Sequence, residues 1–133
     1  MGVTSIPEIN IGDDLAHLIF DAARAQGTPL EADDVVVVTQ KIVSKAEGAV
    51  VDLREVEPSP MAKEFARQYE KDPRLVEVVL RETKRVVKMD RGVLIVETKH
   101  GFICANAGVD ASNVPGEEMV SLLPADPDGS AFK

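Results

Sequence analysis

Arg85-Val86-Val87-Lys88-Met89-Asp90-Arg91-Gly92-Val93-Leu94-Ile95-Val96-Glu97-Thr98-Lys99-His100-Gly101-Phe102-Ile103-Cys104-Ala105 decides the fold. Arg85 to Met89 and Val93 to Thr98 are short runs rich in β-branched residues and read as strands. Lys99-His100-Gly101 reads as a hairpin turn into a further strand, Phe102 to Ala105. Just upstream, Ser59-Pro60 pairs an N-cap with a proline at the first helical position. Met61, Phe65 and Tyr69 follow four apart on one face. Asp72-Pro73 repeats the device, with Leu75, Val76, Val79 and Leu80 as its apolar face, so two short helices pack as an angled pair. Helices followed by consecutive strands give an α+β fold with a mixed or antiparallel sheet and short covering helices, not a repeating βαβ unit.

Outward from this centre, Gly12-Asp13-Asp14 offers an N-cap, and Leu15, Leu18, Ile19 and Ala22 recur at helical spacing until Gly27 and Pro29 stop them. Val35 to Val38, between Asp33-Asp34 and the polar Thr39-Gln40-Lys41, is expected to be a strand buried on both faces. Val3 to Ser5 is a candidate short strand. Ile42 to Glu47 is a candidate helical turn ended by Gly48, and Ala49 to Leu53 is extended again. Met119 to Leu123 reads as a strand, and Asp126-Pro127-Asp128 opens a helix about one turn before Lys133. Such an ending is expected of a fragment, because an isolated helical turn is costly to nucleate.

With 133 residues the chain fits one domain, and 44% apolar residues are enough to fill a core. Aromatics make up only 4%, so valine, isoleucine, leucine and alanine must do the filling. A formal charge of −8 repels a phosphodiester backbone and argues against general nucleic-acid binding, while leaving room for a small phosphate ligand at a local site. A single cysteine, Cys104, cannot form an internal disulfide. The start has neither a basic nor an apolar targeting segment, and no apolar run approaches membrane length, so a cytoplasmic, membrane-free protein is expected.

Two stretches can carry chemistry. In Asn106-Ala107-Gly108-Val109-Asp110-Ala111-Ser112-Asn113, small residues allow close approach to the backbone, and Asp110 and Asn113 supply a hard oxygen and an amide. Magnesium or manganese is typically held by one or two carboxylates plus substrate phosphates, which one Asp can begin to satisfy. Asx-turns in a tight loop are the plainer account of the same residues. In Thr39-Gln40-Lys41-Ile42-Val43-Ser44-Lys45-Ala46-Glu47-Gly48, two lysines and two hydroxyls can neutralise phosphate oxygens, with Lys45 as a point charge. The glycine spacing of a P-loop is absent, and solvated surface lysines are the plainer alternative. His17 and His100 have no zinc-spaced companions, and Cys104 has no evident base, so all three read as structural. Asp13-Asp14 and Asp33-Asp34 read as capping and turn residues.

Residues 41–48 and 98–114, with Leu122-Leu123-Pro124 and Asp126-Pro127-Asp128, closely resemble the coenzyme F-420 gamma-glutamyl ligase family in order and spacing. Ile6-Pro7-Glu8-Ile9 followed by Gly12-Asp13-Asp14-Leu15 is similar to that family's N-terminal segment, so the likeness runs along nearly the whole chain.

The resemblance implies a GTP-dependent ligase that joins L-glutamate to coenzyme F-420-0 through an acyl phosphate and then adds a second glutamate through a gamma linkage. It implies Mg2+ or Mn2+, with K+ as a further cation, and a homodimer. Carried over by position, Ile6, Pro7, Glu8 and Ile9 line the nucleotide and Gln40 and Lys41 touch it. Lys45 contacts phosphate, Asp110 is a metal ligand and Asn113 is a nucleotide contact; no catalytic residue is assigned. Residues 1–133 correspond to the N-terminal portion of the family's fold. Further metal ligands lie beyond it, so the chain alone is expected to be a poor enzyme. Two other readings stay open: a non-catalytic oligomerising module, and an amide ligase acting on another acidic acceptor.

Overall fold

Local capping chemistry sets most helix starts. The computed structural model describes residues 1–111 and 118–132. Helix α1, Leu15–Ala25, begins where the Asp14 carboxylate accepts from the His17 amide at 3.0 Å, and it ends before Gly27 at φ +79°. Helix α2, Gln40–Ala46, follows Thr39, whose side chain makes no cap, and Gly48 at φ +73° lies just beyond its end. Strand β1, Val50–Asp52, runs into a 3-10 turn at Leu53–Glu55. Helices α3, Pro60–Tyr69, and α4, Pro73–Arg81, start with proline in the first turn after capping by Ser59 and Asp72, as their sequences predict. Strands β2, Thr83–Asp90, β3, Val93–Thr98, and β4, Ile103–Ala105, then follow, and β3 matches its predicted span residue for residue. Strand β5, Met119–Ser121, and helix α5, Pro127–Ala131, capped by Asp126, complete the described elements.

The architecture is α+β, and every strand ladder among the described residues is antiparallel. A three-stranded sheet has the order β2-β3-β4, and β1 pairs with β5 in a two-stranded one. In β3 the side chains alternate as a half-covered strand requires: Leu94, Val96 and Thr98 are buried and Val93 is exposed. The buried side packs against Ala62 and Ala66 of α3 and Val76 and Val79 of α4. Alanines on α3 let that helix approach closely. Val78, on another side of α4, joins a second cluster with Leu53, Val56 and Val120. Helix α4 therefore ties the two sheets together. Each fully buried valine or leucine contributes about 1.5–3 kcal/mol relative to exposure.

Charge pairs staple the smaller sheet. Arg74 at the start of α4 bridges Asp72 and Glu118, both at 2.8 Å, while Arg54 pairs with Asp52 at 2.5 Å. The Arg54 side chain and backbone amide together hold the Asp52 carboxyl down at about 2.

Three expectations are overturned. Val35 to Val38 is neither a strand nor buried: Val35 and Val37 are 87% and 91% exposed. No strand runs beside it among the described residues, so its backbone has no ladder to join. Val3 to Ser5 is not a strand either. Ser5 sits at φ +63°, and the Thr4 amide and hydroxyl both donate to Gln26 Oε1, which replaces strand pairing with a tie to the end of α1. On α3, Met61 is exposed, because the face that meets α4 is the one carrying Ala62 and Ala66. Phe65 and Tyr69 remain half-buried, with ring centroids 4.8 Å apart.

Candidate functional site

Helix α2 is short, and its sequence puts Lys41 and Lys45 one turn apart on one face. Each lysine meets a carboxylate from a distant part of the chain. Lys45 Nζ lies 2.5 Å from Glu8 Oε1, and Lys41 Nζ lies 2.7 Å from Asp110 Oδ2. The Lys45 side chain is only 11% exposed, so its ammonium is presented from a nearly covered stem. The segment bearing Glu8 is held along α2 by the Gly12 amide donating to the Ala46 carbonyl at 2.8 Å, with Ile9 buried as its anchor.

Asp110 owes its position to an unusual turn. Asn106, Ala107 and Gly108 take φ of +50°, +54° and +71° in succession, a left-handed run that costs the two residues bearing a Cβ about 1–2 kcal/mol each. Asn106 Oδ1 accepts from the Leu94 amide at 3.2 Å, and Ala107 is buried in the main core, which together hold the turn. At Gly108 a Cβ would stand 2.8 Å from Leu123 Cγ, so glycine is needed there for space as well as for conformation. Beyond the turn, the Asp110 and Ser121 backbones exchange hydrogen bonds at 3.0 and 2.8 Å. The carboxylate emerges beside α2.

The sequence-predicted residues thus fall into three groups. Glu8, Lys41, Lys45 and Asp110 come together as two ion pairs on α2. Of the other members of the N-terminal segment, Ile6 is half-buried, Pro7 is exposed and Ile9 is buried. Gln40, an exposed residue, has its side-chain amide tied back to the protein: its Nε2 donates to the Leu122 carbonyl at 3.0 Å and to Ser44 Oγ. Asn113 lies outside the described residues.

Ser121 and the Leu122 carbonyl are parts of the site that sequence reasoning missed, and the Ser44 hydroxyl, expected to face phosphate, is instead fully buried and donates to the Leu122 carbonyl at 2.6 Å. His17 stays with Asp14, His100 leans against Phe102, and burial pushes the half-buried Cys104 thiol above its usual range, which disfavours a thiolate.

The chemistry this arrangement supports is anion binding with room for a hard cation. Two ammonium groups on one turn can meet adjacent phosphate oxygens. Asp110, half-exposed, offers the carboxylate oxygen that magnesium or manganese accepts alongside phosphates. Among the described residues, no three His, Cys, Asp or Glu side chains lie close enough to share a metal. A small apolar cleft lined by Phe65, Leu75, Val76, Val79 and Leu94 is a separate feature and includes none of the four charged residues.

Residues 4–133 match the protein family described as F420-0:Gamma-glutamyl ligase. The chain belongs to this family. It is similar to the Coenzyme F420:L-glutamate ligase of Methanothermobacter thermautotrophicus, with 44% identity over 133 residues, covering 100% of this chain and 52% of the relative. The Methanopyrus kandleri protein of the same name is 48% identical over 124 residues, 93% of this chain and 47% of the relative. That of Archaeoglobus fulgidus is 45% identical over 131 residues, 98% and 50% respectively. The chain spans about half the length of these F420-0:gamma-glutamyl ligase relatives.

Proposed function

We propose that the α2 site binds the phosphates of GTP, and that the chain serves a cytoplasmic enzyme which ligates L-glutamate to coenzyme F420-0. The observation that carries this reading is the pairing of Lys41 and Lys45, one turn apart, with Asp110 and Glu8. It is supported by the names of the relatives, which are L-glutamate ligases.

In the proposed reaction a carboxylate oxygen of F420-0 takes the γ-phosphoryl group of GTP, giving an acyl phosphate and GDP. The glutamate amine then attacks the acyl carbon, the amide bond forms, and inorganic phosphate and a proton leave. Lys41 and Lys45 act by charge: they orient the phosphates and offset the negative charge that develops during transfer. A divalent cation held by Asp110 and the phosphates would add Lewis-acid stabilisation of the same charge. Its donor fits, since Mg2+ and Mn2+ take carboxylate oxygen and are commonly bound through one or two carboxylates plus substrate phosphates. A cation held there would compete with Lys41 for the Asp110 carboxylate and so leave the ammonium to face phosphate.

With a single carboxylate contributed by this stretch, the 133-residue chain is proposed to bind nucleotide but not to complete turnover by itself. A second reading is favoured by the exposed Val35–Val38 run, which suits a module that gains order by associating with further polypeptide, as in a homodimer. The deciding measurement is a calorimetric titration of the chain with GTP and Mn2+, repeated on Asp110→Ala and Lys45→Ala. Asp110→Ala should lose the metal dependence, and Lys45→Ala should bind about ten- to a hundredfold more weakly, as removal of a charged hydrogen bond predicts. Equal binding by all three proteins would remove these residues from the roles given.

A further inference from the structure

We propose that Ser44 is a positioning residue: its hydroxyl, together with the Gln40 amide, clamps the cationic helix to the Leu122 carbonyl and so fixes both lysines relative to Asp110. The proposal rests on the phosphate-binding reading above and adds to it the element that aligns the site.

Serine is seldom fully buried, yet Ser44 is 0% exposed. A hydroxyl taken out of water must find partners. In helices, serine often bonds back to the carbonyl one turn earlier. Ser44 instead reaches across the fold, donating to the Leu122 carbonyl at 2.6 Å while accepting from Gln40 Nε2. Gln40 Nε2 also donates to that carbonyl at 3.0 Å, so two side chains from successive turns of α2 converge on one acceptor.

The acceptor's place in the chain gives the clamp its consequence. Leu122 directly follows Ser121, whose backbone exchanges two hydrogen bonds with that of Asp110. The Leu122 amide donates to the Ala49 carbonyl at 2.8 Å, closing the far side of the same connection. A path of hydrogen bonds therefore runs from the α2 side chains, through Leu122 and Ser121, to the Asp110 backbone. Helix α2 is only 7 residues long and Thr39 gives it no side-chain cap. Such a helix is marginal by itself and takes its position from tertiary ties. Ser44 lies directly beside Lys45 in sequence, so movement at Ser44 is movement of the ammonium.

The test compares wild type, Ser44→Ala, Gln40→Met and Val78→Ala, the last a buried residue of the second core cluster that serves as a matched destabilisation. Two readouts are taken on each folded protein well below its melting temperature. One is the NMR signals of the Lys41 and Lys45 ammonium groups without ligand, which report whether they are held. The other is affinity for GTP with and without Mn2+. Ser44→Ala is expected to broaden both ammonium signals and to weaken Mn2+-dependent GTP binding about five- to tenfold, with Gln40→Met smaller in the same direction and Val78→Ala unchanged in both. The Gln40 variant decides the matter should Ser44→Ala not fold. Retention of the ammonium signals in both α2 variants, or equal loss in Val78→Ala, overturns the clamp. If wild type binds no GTP but the α2 variants still release the lysines, the clamp stands and the phosphate reading falls.

Discussion

Strand β3 and the Val35–Val38 run are both rich in β-branched residues, yet one lies between two strands with one side buried under helices and the other lies open to water. Val96 is 0% exposed and pairs with β2 on one side and β4 on the other. Val37 has neither a neighbouring strand nor a helix over it among the described residues. Strand propensity measures how well a side chain fits a pleated, half-buried surface, so without that surface it has nothing to act on. What separates the two runs is the presence of partners, not composition.

The sharpest way to break this comparison is to truncate each side in turn. Leu94→Ala, at a buried position of β3 beneath α3 and α4, should destabilise the chain by about 2–5 kcal/mol in urea unfolding. Gly108→Ala comes next. It forces a Cβ into a left-handed position and against Leu123, and should cost about 1–3 kcal/mol with a matching loss of the Asp110 geometry.

A smaller effect acts on the two-stranded sheet through pH. Asp52 is held at about 2, below its ordinary 3.8, so its contribution to the β1–β5 pair is complete above about pH 4 and disappears as pH falls toward 2. Amide-exchange protection in β1 and β5 should therefore fall over that interval. The smallest effect belongs to Val37→Ser, expected to change stability by less than about 0.5 kcal/mol because the side chain is already solvated. A large loss there would show that the run is covered in solution.

The same contrast explains what could be read from the amino acids. Ser59-Pro60, Asp72-Pro73 and Asp126-Pro127 announce their helices because a cap and its amide lie within three residues of one another. The β3–β4 hairpin was legible for a similar reason, since its turn at Lys99-His100-Gly101 is local. Val35–Val38 was misread because burial depends on what lies beside a segment, which its own residues do not state. On α3, spacing identified a face through Met61, but the small alanines decide where a neighbouring helix can come near. At the site, Lys41, Lys45 and Asp110 were visible as residue types. Their pairing, and the tie of Gln40 to Leu122, depend on contacts spanning up to 82 residues and were not.

The contact between Glu8 and Lys45 carries a consequence for selectivity. If the site takes phosphate as proposed, an arriving oxygen would have to displace a resident carboxylate from Lys45, so capture would be an exchange of counter-ions. A monovalent anion such as chloride trades one charge for one and gains little from the swap. On the proposed reading a polyphosphate would meet Lys41 and Lys45 together, displacing Asp110 and Glu8 with a single multiply charged guest, so the two resident carboxylates would act as a filter against singly charged anions.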